Sequence, residues 1–247
     1  MRQHSFIRLL VTAQILGFAS AAYAQPYMPD RPWSVDFGIG WDNTLSGNIN
    51  SGAIGTLNNQ SVVILKNTYS DVYGTGLHLR FGGGFEFRDN SEVRVTFTFQ
   101  SLDADLTRMG DLGVANLYGQ YADYQSFGMD FGYRHYLPFT AKLRGYGEAT
   151  LGLAFIDETD VVLSAPQINF TGNATDFYDK TAAFTLGGNV GVTFPVAKQV
   201  DVFTQLGVRF VTGMSPVDNL IGTGLDTINK NSSRWAMPFS MGLSVRF

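Results

Sequence analysis

The chain has 247 residues, a formal net charge of −4 and no cysteine. Without cysteine there is no disulfide framework, thiolate nucleophile or cysteine metal site, and the mild acidic balance argues against nucleic acid as a partner. Mean hydropathy is near zero and no long apolar run occurs. That argues against membrane helices but not against a membrane barrel, where lipid-facing and lumen-facing residues average out.

Met1 to Ala24 reads as a secretory signal peptide. Arg2 and Arg8 supply the positive start, and Leu9 to Ala22 the apolar stretch. Ala22-Tyr23-Ala24 matches the small-x-small cleavage pattern, so the expected mature chain is residues 25–247, starting at Gln25. The apolar run is too short for a spanning helix. Removing Arg2 and Arg8 leaves 15 basic residues against 21 acidic, a formal charge of −6.

The mature chain alternates with period two in eight segments. A strand from Trp33 to Trp41 puts Trp33, Val35, Phe37, Ile39 and Trp41 on one face, and Ser34, Asp36, Gly38 and Gly40 on the other. A long polar segment runs from Asp42 to about Asp71. The second strand, from about Tyr73 to Phe87, sets Tyr73, Leu77, Leu79, Phe81, Phe85 and Phe87 opposite His78, Arg80 and Glu86. Arg88-Asp-Asn-Ser91 has turn composition. The third strand, Glu92 to Gln100, alternates Val93, Val95, Phe97 and Phe99 with Arg94, Thr96, Thr98 and Gln100.

A second long connection spans about Ser101 to Tyr124. The fourth strand, about Ser126 to Tyr136, carries Phe127, Met129, Phe131 and Tyr133 on one face. Leu137 to Thr140 reads as a short turn. The fifth, Leu143 to Phe155, is thinned by Gly145, Gly147 and Ala149, and its inner face offers Arg144, Tyr146, Glu148 and Thr150. After a third long connection come Ala182 to Phe194, a turn at Pro195 to Gln199, and Val200 to Val211. A fourth connection leads to the last strand, Trp235 to Phe247. Its apolar face is Trp235, Met237, Phe239, Met241, Leu243, Val245 and Phe247.

Such faces belong to strands with a different solvent on each side. Long connections alternating with short turns predict an all-β, eight-stranded antiparallel up-and-down transmembrane barrel, with both termini on the turn side. A soluble barrel would put the apolar face inside. Here the other face is mostly glycine, alanine, serine and threonine, too small and too sparsely charged for an exterior, but suited to a narrow lumen. Aromatics cluster at both strand ends. Trp33, Phe85, Phe87, Tyr133, Phe194 and Phe247 lie toward the turns; Trp41, Tyr73, Phe99, Phe155, Phe184, Phe210 and Trp235 lie toward the loops. Two girdles at two interfaces are expected.

Two stretches carry a family resemblance: Gly82-Gly-Gly-Phe-Glu-Phe-Arg-Asp-Asn-Ser-Glu-Val-Arg-Val95 and Met237-Pro-Phe-Ser-Met-Gly-Leu-Ser-Val-Arg-Phe247. Over nearly its whole mature length the chain resembles the outer-membrane β-barrel superfamily, the OmpA-like or porin-family small barrels of Gram-negative bacteria. The resemblance implies an outer-membrane location, contact with outer-membrane lipid and lipopolysaccharide, and insertion by the barrel-assembly machinery. The terminal strand, with Phe239, Met241, Leu243, Val245 and Phe247, would be the assembly signal. It implies no cofactor and leaves the ligand of the extracellular loops open.

The inward charges read from the pattern are Asp36, His78, Arg80, Glu86, Arg94, Asp130, Arg134, Arg144, Glu148, Asp201, Arg209 and Arg246. Asp36, Glu86, Arg94, Arg134, Arg144, Glu148, Asp201 and Arg246 form the expected cluster in the turn-side half. Such groups must pair in a narrow lumen. The expected result is a plug of ion pairs, with a conduction path as the rival. Within the hairpin, Glu86 and Arg94 are expected within a few ladder positions of each other.

Enzymatic chemistry finds little support. Outer-membrane lipid hydrolases need a base beside a nucleophile. The mature chain has only His78 and His135, and neither sits in a His-x-Ser type of signature. Ser240 and Ser244 fall on the lumen face without a partner base visible in the sequence. Asp218, Asp226, Asn229 and Asn231 do not follow calcium-loop spacing. Gly82-Gly83-Gly84 is no phosphate loop, and glycine there makes room for a large lumen side chain or a bend. The expected role is non-enzymatic: envelope integrity or surface interaction through four extracellular loops.

Overall fold

A computed structural model describes residues 32–57, 60–140, 143–217, 224–225 and 227–247. The expected signal peptide and its cleavage site lie outside the described residues, as do Asp218 and Asp226.

Eight strands close a barrel: β1 (Trp33–Ser46), β4 (Gly76–Arg88), β5 (Ser91–Leu102), β8 (Tyr124–Thr140), β9 (Leu143–Ile156), β12 (Thr181–Ala197), β13 (Val200–Val211) and β15 (Arg234–Arg246). Each pairs antiparallel with its chain neighbours. The register Val35↔Val245, Phe37↔Leu243 and Ile39↔Met241 joins the first strand to the last. Closure leaves no barrel edge unpaired, as hydrocarbon requires, because an unsatisfied backbone group there is costly.

The two faces follow the alternation. Trp33, Phe37, Phe81, Phe131, Leu151, Leu186 and Leu243 are exposed, while Asp36, Arg94, Arg134, Glu148 and Ser240 are buried. An apolar exterior around a polar interior is the inversion expected of a membrane-spanning barrel. Cross-strand aromatic pairs stand at both ends of this belt. Trp33 and Phe85 have ring centroids 4.7 Å apart and Phe87 and Tyr133 6.5 Å, on the turn side. Trp41 and Phe239 at 5.9 Å and Phe210 and Trp235 at 5.1 Å lie on the loop side.

Three expectations are corrected. Leu137 to Thr140 is not a turn: β8 pairs through it, with Pro138 opposite Arg144. Likewise, pairing of Pro195 with Asp201 and Ala197 with Val200 narrows the next turn to Lys198 and Gln199. Tyr73 is not on the lipid face. A single helical turn, α1 (Tyr69–Val72), precedes it, β4 begins only at Gly76, and Tyr73 is buried.

The largest departure lies in the long connections, which fold into a second sheet. Its strands are β2 (Ala53–Leu57), β3 (Gln60–Ile64), β6 (Thr107–Leu112), β7 (Ala115–Tyr121), β10 (Thr159–Ala165), β11 (Phe170–Asp179) and β14 (Ser215–Pro216), in the order β14-β11-β10-β7-β6-β3-β2. Its inner side packs Val62, Ile64, Met109, Leu112, Leu117, Tyr121, Val161, Phe177 and Tyr178 into one apolar core. The same core takes in Leu102, Tyr124, Ala154, Ile156, Ala183 and Val211 from the loop-side ends of the barrel strands. The sheet is therefore a cap continuous with the upper lumen. Tyr178 donates its hydroxyl hydrogen to the Ile49 carbonyl, and Tyr73 donates to the Ala122 carbonyl at 3.2 Å. Burial pushes the Tyr73 and Tyr178 phenols up, which keeps them protonated as donors.

Candidate functional site in the lumen

Alternation sends one residue in two toward the axis, so each strand contributes to the lumen at regular heights. Glycine on the same face sets how much room a neighbour has. At Gly84 an added Cβ would fall inside the Glu92 carboxylate, and at Gly40 it would meet the His78 ring at 2.7 Å. These glycines leave space for long side chains in a narrow barrel.

In the turn-side half those side chains form one network. Arg134 on β8 meets Glu148 on β9, with Nη2 at 2.5 Å and Nε at 2.7 Å from Oε2. Arg94 on β5 contacts Asp36 on β1, donates to Glu92 Oε1 at 2.6 Å, and lies 3.8 Å from Glu148. Arg246 on β15 bridges Glu86 on β4 at 3.2 Å and Asp201 on β13 at 2.9 Å. Arg144 reaches Asp201 at 3.3 Å. Asn189 on β12 donates to Glu148 at 3.3 Å. Every strand of the barrel thus contributes a member.

Tyr136 connects the two sides of this network. Its hydroxyl donates to Glu92 Oε2 at 2.6 Å, and its ring centroid lies 4.4 Å from the Arg144 guanidinium carbon and 5.4 Å from that of Arg246. Arg134 stands 4.0 Å from the Tyr146 ring centroid. Aromatic faces thus supply part of the environment these buried cations have lost in leaving water.

All eight residues of the expected cluster, Asp36, Glu86, Arg94, Arg134, Arg144, Glu148, Asp201 and Arg246, are buried in this half of the lumen. Glu86 and Arg94 lie two ladder positions apart, as the hairpin requires, but make no ion pair with each other. Glu86 stands opposite Glu92, Arg94 lies opposite Gly84, and Glu86 turns to Arg246. Glu92 is missing from the expected inward set because it sits at the very start of a strand. Alternation back from Arg94 places it inward. Asp42 and Arg234 are missing for a similar reason, lying just past the expected strand ends. They pair at 3.1 Å, with Gln100 also donating to Asp42. Arg234 stands 4.7 Å from the Tyr124 ring centroid, directly against the cap core.

Between the plug and the Asp42–Arg234 layer is a void of about 60 Å³, bordered by His78, Arg80, Asp130, Arg209 and Ser240. Asp130 pairs with Arg209 at 3.2 Å and accepts from Thr185 at 2.5 Å. His78 Nε2 and Ser240 Oγ are 2.9 Å apart. This serine–histidine pair, formed by residues distant in sequence, is not legible from local motifs. It resembles a nucleophile and its base, but both groups are buried. The void has room for a few waters and is far below the several hundred Å³ of a typical substrate pocket. His135 is elsewhere, on the outer face, 3.3 Å from Ser91 Oγ. Among the described residues, no cluster of three or more acidic or histidine side chains is placed to hold a metal ion.

No protein-family model matches the chain, and no curated protein does. Solved structures with similar shape are outer-membrane proteins. Neisserial surface protein A is 12% identical, with 87% of this chain and 97% of that one covered and a TM-score of 0.47. The outer-membrane protein OprG from Pseudomonas aeruginosa is 9% identical, with 88% and 96% covered and a TM-score of 0.48. A major outer-membrane protein from Thermus thermophilus is 14% identical, with 86% and 99% covered and a TM-score of 0.44. Likeness at this level carries no functional argument. The barrel assignment rests on the chain's own register and its inverted faces.

Proposed function

We propose that this chain is a non-enzymatic, non-conducting barrel of the outer membrane that holds an ordered platform at the cell surface and contributes to envelope integrity or surface interaction. The observation that carries this reading is that the lumen is filled at two levels by different chemistry. Below, buried acids and arginines around Glu148 and Arg134 knit the strands together with Tyr136. Above, the aromatic and aliphatic cap core is continuous with the barrel's upper inner face. Ions passing the lower layer would have to part buried pairs, and ions passing the upper one would have to leave water altogether. Both steps are costly.

In this reading the chain is exported by a cleaved signal peptide. The terminal strand with Phe239, Met241, Leu243, Val245 and Phe247 engages the assembly machinery, and the wall lies in outer-membrane lipid and lipopolysaccharide. The deciding experiment is conductance of the purified mature protein in planar bilayers, for which the expectation is a closed baseline. A steady open conductance would sink the reading in favour of a small-solute channel. Unchanged lipid A mass spectra with and without the protein are expected; an added or lost acyl chain would instead favour a lipid-modifying enzyme and return attention to His78 and Ser240.

A further inference from the structure

The outer wall is apolar at most lipid-facing positions; Thr204 on β13 and Gln125 at the loop side are isolated exceptions, and a cross-strand row of polar residues lies near the turns. Arg88 pairs with Ser91, Ser91 with His135, and His135 with Gly147. Arg88 and His135 are both exposed. Ser91 Oγ lies 3.2 Å from the Tyr133 hydroxyl and 3.3 Å from His135 Nδ1. Beside the imidazole a Cβ on Gly147 would meet nothing within 4 Å, so the wall is notched there.

The adjacent rows are apolar apart from the Tyr133 hydroxyl: Phe85, Val93, Tyr133 and Ala149, then Gly83, Val95, Phe131 and Leu151. The row therefore stands where the hydrocarbon ends, at the level of the Phe87–Tyr133 aromatic pair. It is also one-sided. On the wall formed by β12, β13 and β15, the matching row is Ala197, Val200 and Val245, with Lys198 exposed in the turn beyond it but no hydroxyl or imidazole beside it. Arg88 makes no ion pair among the described residues, and Asp89, one residue on, does not engage it.

We propose that Arg88, Tyr133 and His135, the last two held by the buried Ser91 hydroxyl between them, form a site for the phosphodiester of an anionic glycerophospholipid in the turn-side leaflet, its acyl chains lying along Val93, Phe131 and Leu151. An unpaired guanidinium, a phenol hydroxyl and an imidazole, all on exposed side chains, make a donor set for phosphate oxygens. Above them, Val93, Phe131 and Leu151 are exposed apolar surface at acyl-chain depth. The commitment to a lipid over free phosphate follows from this continuity of polar row and apolar wall. The inference rests on the membrane-spanning barrel and is independent of whether the lumen conducts.

The test is native mass spectrometry of the folded mature protein in detergent micelles, titrated with phosphatidylglycerol or phosphatidylcholine. The unmodified protein should retain one phosphatidylglycerol in preference to phosphatidylcholine. The double variant Arg88→Gln/His135→Gln should lose about tenfold in retention. Lys198→Gln, which removes a cation from a different turn, should behave as the unmodified protein. Glycerol phosphate added in excess should displace little, because it lacks acyl chains. Folding is read separately from heat-modifiable gel mobility. If the double variant does not fold, His135→Gln alone serves, with retention expected to fall and the change in imidazole proton shifts on adding phosphatidylglycerol expected to vanish. Equal retention by the unmodified protein and the site variant would overturn the proposal. An equal loss in Lys198→Gln, or full displacement by glycerol phosphate, would overturn it too.

Discussion

The Tyr136 hydroxyl donates to the Glu92 carboxylate at 2.6 Å while the Arg144 guanidinium carbon lies 4.4 Å from the centre of the same ring. One side chain thus serves a buried anion with its edge and a buried cation with its face. Tyr136→Phe keeps the ring and removes only the donor, leaving Glu92 one partner short. The expected cost is about 1.5–3 kcal/mol, the range for bonds to charged groups. Tyr146→Phe, which loses a bond of 3.0 Å to the neutral Gln205, should cost only about 1 kcal/mol. Urea titration of folding into lipid vesicles measures both, and equal costs would argue against a charged Glu92.

Glu148 lies between two buried cations of the plug, meeting Arg134 at 2.5 Å and Arg94 at 3.8 Å. Glu148→Ala leaves these buried cations undercompensated and should destabilise the barrel by about 3–5 kcal/mol. Replacing Glu148 and Arg134 together by methionine should recover much of that loss, because the pair's desolvation cost disappears with it. Single-channel recording of Glu148→Ala should show conductance where the unmodified protein shows none.

The lipid face is tested by arginine at Leu79, Val95 and Leu243. Each should cost roughly 2–4 kcal/mol near the midplane. Absence of a cost at all three in reversible folding would mean that the faces are inverted.

Glycines on the two faces should respond differently. An added methyl at Gly84 meets the Glu92 carboxylate and the Ser34 hydroxyl, whereas at Gly147 it meets open space. Gly84→Ala should destabilise by about 1–3 kcal/mol through overpacking. Gly147→Ala should be neutral or slightly stabilising, because alanine also restricts the unfolded chain. The same folding titrations compare the two.

The cap carries a pH signature. Asp160 and Asp176 stand directly opposite in the β10–β11 pairing. Partial desolvation, followed by the Asp176 and Glu158 carboxylates, holds the Asp160 carboxyl above its ordinary range. A raised folded-state value means that the folded cap binds more protons than the unfolded chain in that window. Stability from this group is therefore full below the unfolded value and falls as pH rises through the folded one. Hydrogen exchange at Val161 and Val162, corrected for intrinsic rate, should show less protection at neutral pH than in mild acid. Asp160→Asn should flatten the difference.

The eight barrel strands were legible because each alternates over nine or more residues, long enough for period two to stand out. The cap strands obey the same period, but most run only five to seven residues between glycines and polar residues, and their apolar members read as scattered. Val62 and Ile64, or Leu117 and Tyr121, acquire a shared face only once β3 and β7 join one sheet over the barrel mouth. The boundary residues Asp42, Glu92 and Arg234 escape a local reading because a strand's pairing, and not its composition, decides where it stops.

By itself the sequence determined the barrel, the strand order, the face toward lipid and most of the charges toward the lumen, because alternation is a local property of the chain. Only the tertiary structure decided which charge meets which. Strand tilt and stagger carry side chains past their ladder neighbours, so Glu86 turns from Arg94 to Arg246, and Arg144 reaches over β12 to Asp201. His78 met Ser240 for the same reason, across a closure that brings residues 162 positions apart within 2.9 Å.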